Sequence, residues 1–345
     1  MLTWRPRPYL KFVLVRLGAL VLLAVGITLV SFILTNLIPG DPAAANLGQR
    51  ALSDPAIVAA FRHQHGLDQP LPVQYGKYLA GLLHGDFGTS QRSNRPVSDE
   101  LAEYVPATLE LAITAVVVSL VVGVGLGILA ATRRNSWLDQ LLRVVSLAGV
   151  SMPTFWLALA AFFVLFYKLG ILPGGGRLDP GLDPPPHVTG LYTVDSLLAG
   201  QWDIFGNAVF HLIMPALVLA AYTVGLLTRF TRASMLEVLG NDYIRTAHAK
   251  GLPGRTIVFR HVLRPALVPI LTVAGLAFGS LLSGTVLVEQ IFSWNGIGQY
   301  AYQSALNLDL PAIMGVSLVV AVIYVTVNFV VDLLYGVVDP RVRLQ

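Results

Sequence analysis

Charged residues and cysteine are what this sequence lacks most. Only 12% of its 345 residues are charged, against roughly 25% in a soluble domain, and 55% are hydrophobic. The mean hydropathy is +0.68. Because so little of the surface can be solvated by water, this composition excludes one large soluble core and predicts an integral membrane protein. The sequence has no cysteine, which excludes disulfides and thiolate metal sites but leaves the compartment open.

Motifs for a built-in energy source are also missing. The string Gly251-Leu-Pro-Gly-Arg-Thr256 lacks the residue order of a phosphate-binding loop and has no preceding strand pattern. His63 and His65 are two residues apart, a spacing that does not put both rings on one helix face, and no third ligand is evident. We therefore predict no catalytic residues, no metal site and no cofactor in this chain, so its energy source belongs to another subunit.

Six long runs contain no Lys, Arg, Asp or Glu, and each is long enough to cross a bilayer core about 30 Å thick as a helix. The six runs are Leu17 to Gly40, Leu111 to Thr132, Val144 to Tyr167, Ile204 to Thr228, Pro265 to Val288 and Leu310 to Val331. Because backbone groups in lipid must be satisfied internally, we expect an all-α fold with six transmembrane helices. No run holds a carboxylate, which argues against the alternative of an ion-coupled carrier that works alone.

The basic residues between the runs predict the direction in which each run crosses. Most of the 23 Lys and Arg residues lie before the first run, between the second and third, between the fourth and fifth, and after the sixth. By the positive-inside rule, both termini and the 229–264 loop face the cytoplasm. The first run is too long for a cleaved signal, so we expect it to remain as an anchor.

These runs and connections divide the chain into four predicted regions. The regions are a cytoplasmic N-terminus with the first helix (1–40), an outer region (41–106), a five-helix core (107–338) and a cytoplasmic tail (339–345). Within the outer region, apolar residues from Val73 to Leu83 recur at near-helical spacing and predict an amphipathic helix.

Two glutamates lie at the outer boundaries of the predicted spans. Glu110 precedes the second run and Glu289 follows the fifth. An ionisable group at a membrane boundary is a candidate for an outer gate or a substrate path. An interhelical pair or an anchor at the interface explains the same position, and the residues alone leave these interpretations open.

The 229–264 loop is too long for a minimal link between neighbouring spans. Asp242 as an N-cap and Gly251 as a left-handed stop predict a short helix from Tyr243 to Lys250. Pro253 then opens a second helix. The loop is therefore expected to hold two short helices with a glycine between them.

On one face of the predicted helix from Tyr243 to Lys250, the side chains become smaller toward its C-terminal end. Tyr243, Ala247 and Gly251 are spaced four residues apart, so we expect them to share a face that a partner can approach closely. A docking device for a groove on a cytoplasmic protein fits this pattern, and so does a basic loop that contacts lipid phosphates.

The segment Tyr243-Ile-Arg-Thr-Ala-His-Ala-Lys-Gly251 resembles the EAA loop of ABC importer permeases. Other segments resemble the dipeptide, oligopeptide and nickel branch of that family and run in order through nearly the whole chain. They include Ile38-Pro-Gly-Asp-Pro42, Gly66-Leu-Asp-Gln-Pro-Leu-Pro-Val-Gln-Tyr75, Gly85-Asp-Phe-Gly-Thr-Ser90, Ala107-Thr-Leu-Glu-Leu-Ala112, Ser151-Met-Pro-Thr-Phe155, Glu289-Gln-Ile-Phe-Ser-Trp294 and Asp332-Leu-Leu-Tyr-Gly-Val-Val-Asp-Pro-Arg341. The match is strongest to the first permease subunit of dipeptide importers.

The resemblance implies a type I importer permease in the inner membrane of a bacterium. It would pair with a second homologous permease, two cytoplasmic ATPase subunits that use ATP and magnesium, and an extracytoplasmic peptide-binding protein, in contact with membrane lipid and without nucleic acid. The cargo implied is a dipeptide or short peptide, with nickel or oligopeptides as alternatives. The coupling residues implied are Asp242, Tyr243, Arg245, Thr246, Ala247, Lys250, Gly251 and Leu252.

The sequence departs from the family pattern at three places. His261-Val-Leu-Arg264 stands where the wider family has Ile-x-Leu-Pro, His248 where this branch often has arginine, and Asn295 where it usually has proline. The first departure bears directly on the contacts expected of the coupling segment.

Overall fold

The computed structural model describes residues 7–37, 43, 46–47 and 54–338, apart from some side chains in these ranges. Within them the fold is all-helical, as predicted, and an isolated bridge between Thr89 and Pro96 is the one strand-like pairing. The segment Ile38 to Pro42 and the predicted tail 339–345 lie outside the described residues.

The helices follow one another along the chain, and the longest connection between them is the segment between Lys168 and Tyr192. They are α1 (Arg7–Leu37), α2 (Pro55–Gln64), α3 (Leu71–Leu83), α4 (Val97–Thr132), α5 (Trp137–Ser151), α6 (Thr154–Lys168), α7 (Tyr192–Leu198), α8 (Trp202–Leu239), α9 (Asp242–Ala249), α10 (residues 254–291), α11 (Ile297–Leu306) and α12 (Leu310–Val338). π-helical turns occur within α4, α6 and α10, at Ser119–Gly123, Phe162–Lys168 and Ile257–Val262.

Four of these helices contain a stretch long and apolar enough to cross a membrane. The stretches are Val97–Thr132, Trp202–Leu239, Gly254–Gly275 and Leu310–Val330. The bent pair α5 and α6 counts as a fifth if both helices form one span. In α1, the apolar helix found among the described residues is the shorter stretch Val21–Leu34. The described part therefore holds four or five candidate spans, and the sixth stays a prediction.

The third run is not one unbroken helix, which corrects the sequence-based expectation. α5 ends at Ser151 and α6 begins at Thr154, and the two helices are bent by 105°. Pro153 lacks an N–H group, and its ring disfavours helical backbone at the residue before it. Met152 accordingly has extended angles (φ −80°, ψ 128°). Proline at this position therefore interrupts the helix.

The fourth helix extends well beyond its apolar run. α8 contains 38 residues, about 57 Å at 1.5 Å per residue, and ends at Leu239 where the run ends at Thr228. Thr231, Ser234 and Met235 in its last turns are buried. Hydropathy identifies only the part of a helix that can lie in lipid. The rest of α8 is stabilised by packing against the protein, so the helix continues past the apolar run. Much of the predicted 229–264 loop is therefore helix.

The structured chain divides into two compact units, the first formed by residues 1–106 and 296–325. Its core contains Val97, Leu101, Tyr300, Ala312 and Val316, from α4, α11 and α12. The predicted amphipathic helix is confirmed as α3, and its Tyr75 hydroxyl donates to the carbonyl of Val25 in α1 at 3.0 Å.

The second unit comprises residues 107–295 and 326–345 and is built around α8. Its apolar core joins residues of α4, α6, α8 and α10, among them Leu111, Ala158, Met214 and Val288. Glycines let the helices approach closely. A Cβ on Gly127 of α4 would lie 2.5 Å from the Cβ of Thr231, and one on Gly225 of α8 would lie 2.5 Å from the carbonyl oxygen of Ser146. These contacts hold α4 and α5 against α8.

Candidate functional sites

The segment between α8 and α10, residues 240–253, forms a bend that we call the elbow. Its helix α9 begins at Asp242, one residue earlier than predicted. Asn241 has the extended backbone of an N-cap, and its side chain makes no capping bond, so Asp242 is the first helical residue and not the cap. The Asp242 carboxylate still suits the positive end of the helix dipole, and it accepts a hydrogen bond from Arg245 at 3.1 Å.

Gly251 ends the helical segment, as predicted. Its φ of +71° lies in the left-handed region, and its N–H donates to the carbonyl of His248 at 2.9 Å. Among the residues that the structure describes, and apart from its chain neighbours, no atom lies within 4 Å of the position that a Cβ on Gly251 would occupy. The bend therefore presents open backbone at this residue.

The two faces of α9 differ from the prediction in one respect. Ile244 and Ala247 are both buried and pack in a cluster with Met235 of α8 and Ile257 and Val262 of α10. The expectation that Ala247 shares an open face with Tyr243 and Gly251 is therefore wrong. The residues of the predicted coupling set that are exposed are Asp242, Tyr243, Arg245, Thr246, Lys250, Gly251 and Leu252.

The elbow is tied to both long helices that it joins. The hydrophobic cluster around Ile244 connects α9 to α8 and α10, and the Tyr243 hydroxyl donates to the carbonyl of His261 in α10 at 3.3 Å. The exposed residues of this region include Lys250, Arg255 and Arg260 as well as the Asp242–Arg245 pair, so positive charge predominates among them. A force applied to this surface would therefore reach α8 and α10.

Glu110 lies in a closed polar cluster and not on an open surface. Its carboxylate accepts a hydrogen bond from Arg177 at 2.6 Å and two bonds from the backbone and hydroxyl of Thr193, each at 2.7 Å. The Arg177 guanidinium also stacks on the ring of Tyr192, at 3.5 Å from its centroid. Of the interpretations left open by the sequence, the geometry agrees with a pair between chain segments.

Glu289 is fully buried near the end of α10. Its carboxylate accepts a hydrogen bond from the Thr108 hydroxyl of α4 at 2.6 Å. Close by, the indole nitrogen of the buried Trp294 donates to the carbonyl of Ala107 at 2.8 Å. Asn295, next in the chain, has a φ of +32°, which proline could not adopt because its ring fixes φ near −65°. The departure at Asn295 thus matches the local backbone.

Asp195 anchors the segment before α7 through a dense set of hydrogen bonds. Burial opposes its ionisation, but bonds from the Thr189 side chain and from the N–H groups of Thr189, Gly190 and Val188 outweigh that effect. The pKa of the Asp195 carboxyl is therefore lower than its usual value. This network orders an irregular segment that the sequence marks only by its glycines and prolines.

A buried ion pair between α5 and α8 was missed by the sequence analysis. Arg232 donates two bonds to Asp139, at 2.7 and 2.8 Å, and the Asp139 side chain is fully buried. The two residues are 93 positions apart, so no local pattern links them. Arg232 falls within the predicted 229–264 loop, but in the structure it belongs to α8 and holds two helices together.

The first unit contains a cleft of about 170 Å³ that is lined by both apolar and polar side chains. It is bordered by α1, α3 and α12 and by the residues between α2 and α3. Three of its side-chain atoms, the Gln69 Oε1, the Tyr78 hydroxyl and the Gln91 Oε1, are buried and have no hydrogen-bond partner in the described part of the chain. Burial raises the pKa of Tyr78, so its hydroxyl keeps its proton and remains a donor.

Comparison with protein families identifies the chain along most of its length. The family model described as "Binding-protein-dependent transport system inner membrane component" matches residues 123–344. A second model, "Binding-prot-dependent transport system membrane comp, N-term", matches residues 9–112.

Curated relatives match over nearly the whole chain. "Probable D,D-dipeptide transport system permease protein DdpB" of Escherichia coli (strain K12) is 52% identical over 95% of this chain and 96% of its own length. "Dipeptide transport system permease protein DppB" of Alkalihalophilus pseudofirmus and "Di/tripeptide transport system permease protein DppB" of Pseudomonas aeruginosa are each 44% identical, over 97% of this chain and 99% of theirs.

A solved structure supports the fold independently of close sequence similarity. A chain of the MetNI methionine ABC transporter, in an inward facing conformation, aligns with a TM-score of 0.51 and 16% identity, covering 69% of this chain and 96% of that one. At this identity the match concerns the fold alone. With the family models, it indicates a type I ABC importer permease fold. The chain therefore belongs to the family of binding-protein-dependent transport system inner membrane components, and it is a multi-pass permease subunit and not an enzyme.

Proposed function

We propose that this chain forms one half of the passage of a dipeptide importer. The observation that carries the proposal is the set of relatives named as dipeptide permeases, which match 95% to 97% of the chain at 41% to 52% identity. The other half of the passage belongs to a second, homologous permease subunit. ATP and magnesium are used by two cytoplasmic ATPase subunits, and this chain supplies the mechanical connection.

The elbow is the proposed docking site for an ATPase subunit. Its exposed residues carry positive charge, and Gly251 leaves open space for the surface of a partner. Because α9 is packed against both α8 and α10, closure of the ATPase pair moves these helices together and opens the passage outward. Asp242, Tyr243, Arg245, Thr246, Lys250, Gly251 and Leu252 are the proposed contact residues, with Ala247 holding α9 in place from its buried side.

In the proposed orientation, six helices cross the inner membrane and both termini are cytoplasmic. The positions of Arg229, Arg232, Arg245, Lys250 and Arg255 at or near the elbow support this direction. α1 is the remaining span, because its 31 residues would reach about 46 Å as a helix.

The outer region 41–106 is the proposed receiving surface for the peptide-binding protein. The unpartnered polar atoms around Gln91 support this, since such groups gain hydrogen bonds when a polar partner docks. We also propose that Glu110 and Glu289 support the outer gate and do not contact the substrate directly.

The cargo is tested by uptake in cells that lack this permease. A strain deleted for the gene is complemented with it, alongside its neighbouring transport genes, and offered labelled L,L-dipeptide, D,D-dipeptide, pentapeptide or nickel. We expect rescue of dipeptide uptake. The D,D form is the second candidate, because the relative at 52% identity carries that name. Rescue of nickel or pentapeptide uptake alone would contradict the dipeptide proposal.

A further inference from the structure

A groove of about 280 Å³ opens between α4, α5 and α8 of the second unit. α5 and α8 run in opposite directions along it, because Gly225 lies against Ser146 while Arg232, seven residues later, pairs with Asp139, seven residues earlier. One end of the groove therefore lies at the Asp139–Arg232 pair, and the other end lies at the contact of Ser146 with Gly225. Its lining residues are Ala130, Leu142, Arg143, Ser146, Leu147, Val150, Gly225, Thr228, Arg229, Arg232 and Ala233.

Positive charge is concentrated at one end of the groove. Arg232 is neutralised by the buried Asp139, while the Arg143 Nε lies 3.7 Å from the same carboxylate, with its side chain 53% exposed. Arg229 has no carboxylate within ion-pair distance among the residues whose side chains the structure describes. Because the Asp139 carboxylate already binds Arg232, the guanidinium groups of Arg143 and Arg229 retain capacity for an anion.

The other end of the groove is apolar and lies within the predicted spans. Arg229 directly follows the fourth run and Arg143 directly precedes the third, so both lie where hydrocarbon gives way to lipid phosphates. From that level the lining continues along Leu147 and Val150 toward the interior of the span. A phospholipid has a charged phosphate joined to apolar acyl chains. The basic end and the apolar end of the groove match these two chemical parts.

The geometry points to a binding site for an anionic phospholipid in this groove. The phosphate binds between Arg143 and Arg229, and one acyl chain lies against Leu147 and Val150. Asp139 and Arg232 do not contact the lipid charge directly; their ion pair fixes the spacing of α5 and α8. With the orientation proposed above, the site belongs to the inner leaflet.

The test is native mass spectrometry of the full-length chain in detergent, titrated with phosphatidylglycerol or phosphatidylcholine. We expect a preference for phosphatidylglycerol that falls about tenfold or more in the double variant Arg143→Gln, Arg229→Gln, since each interfacial arginine strengthens binding to anionic lipid. The matched control is Arg133→Gln, Arg134→Gln, which removes the same charge from the neighbouring turn outside the groove lining. Thermal unfolding of each variant checks that the fold is retained.

Three results would overturn the proposal. One is unchanged phosphatidylglycerol binding in the groove variant, and another is an equal loss in the control variant, which would indicate general charge attraction. The third is loss of the bound lipid when the chain is assembled with its partner subunits, which would show that a protein covers the groove. Because the titration is done in detergent, its outcome does not depend on the proposed orientation or cargo.

Discussion

The Glu110 cluster and the elbow use the same kinds of residues in opposite ways. In the first, the Arg177 and Glu110 side chains are 10% and 4% exposed, and the carboxylate has three hydrogen bonds within the chain. In the second, the Arg245 and Asp242 side chains are 78% and 92% exposed. Polar groups that a chain satisfies by itself stabilise its fold, whereas those left in solvent remain available for a partner. Residues that build the permease can thus be told apart from the exposed residues that we propose connect it to other subunits.

The largest expected effect is on stability, and it is expected in the buried Glu110 cluster. Replacing Glu110 with alanine leaves the Arg177 charge buried without its partner, so we expect the free energy of unfolding to fall by about 3 to 5 kcal/mol. Chemical denaturation in detergent measures this. Glu103→Ala is the control, because the Arg95–Glu103 pair is exposed and its loss costs roughly 1 kcal/mol or less. Equal effects would contradict the structural role of the cluster.

At the elbow, the expected effect is on transport. Gly251→Trp is expected to reduce ATP-driven peptide uptake about tenfold or more in proteoliposomes, while ATP hydrolysis and membrane insertion persist. The reason is that the added ring occupies the space in which we propose that the ATPase docks. Gly251→Asn is the control, since asparagine tolerates a left-handed backbone and adds little bulk. At the left-handed backbone of residue 251, a tryptophan adds strain on the order of 1–2 kcal/mol. Uptake that survives in the Trp variant would refute docking at this residue.

A smaller effect concerns pH and the network around Asp195. Because the pKa of Asp195 is lowered in the folded state, its contribution to stability is present above the unfolded pKa of about 3.9 and is lost as pH falls through the folded pKa. We expect the free energy of unfolding to decline less steeply between pH 5 and pH 3 in Asp195→Asn, with the exposed Asp203→Asn as control. Identical slopes in wild type and Asp195→Asn would contradict the network.

The smallest expected effect on stability is at the exposed pair of the elbow. Arg245→Ala should change the free energy of unfolding by less than about 0.5 kcal/mol, because an ion pair this exposed is screened by water. The same variant should weaken the affinity of the permease for its ATPase, measured by co-purification at increasing salt. A large loss of stability would place Arg245 with the structural residues instead.

Local chemistry explains which features could be predicted. The amphipathic helix α3 follows from spacing alone, and the stop at Gly251 follows from the freedom of glycine at positive φ. The break at Pro153 has an equally local cause, although the length of the uncharged run by itself predicts one unbroken helix. The rule that the residue before proline avoids helical angles would have found it.

The partners of buried polar groups could not be predicted in the same way. Glu110 and Arg177 are 67 positions apart, and Asp139 and Arg232 are 93 apart. The spacing of Ala247 in the sequence does not indicate that it packs in the cluster with Ile257 and not against a partner protein. Each of these facts depends on how helices pack, and helix packing involves residues that no short motif contains.

The linear sequence was sufficient to predict the membrane-spanning helical class, the family and the position of the elbow. The length of an apolar run, the distribution of charge and the order of motifs are properties of the linear sequence. They can therefore be recognised without the tertiary structure. Packing between distant helices encloses Glu110 and Glu289, allows α8 to extend to the elbow and brings Arg143 and Arg229 to one groove. Those outcomes required distant segments to come together, since a buried charge is tolerated only where packing brings it a partner.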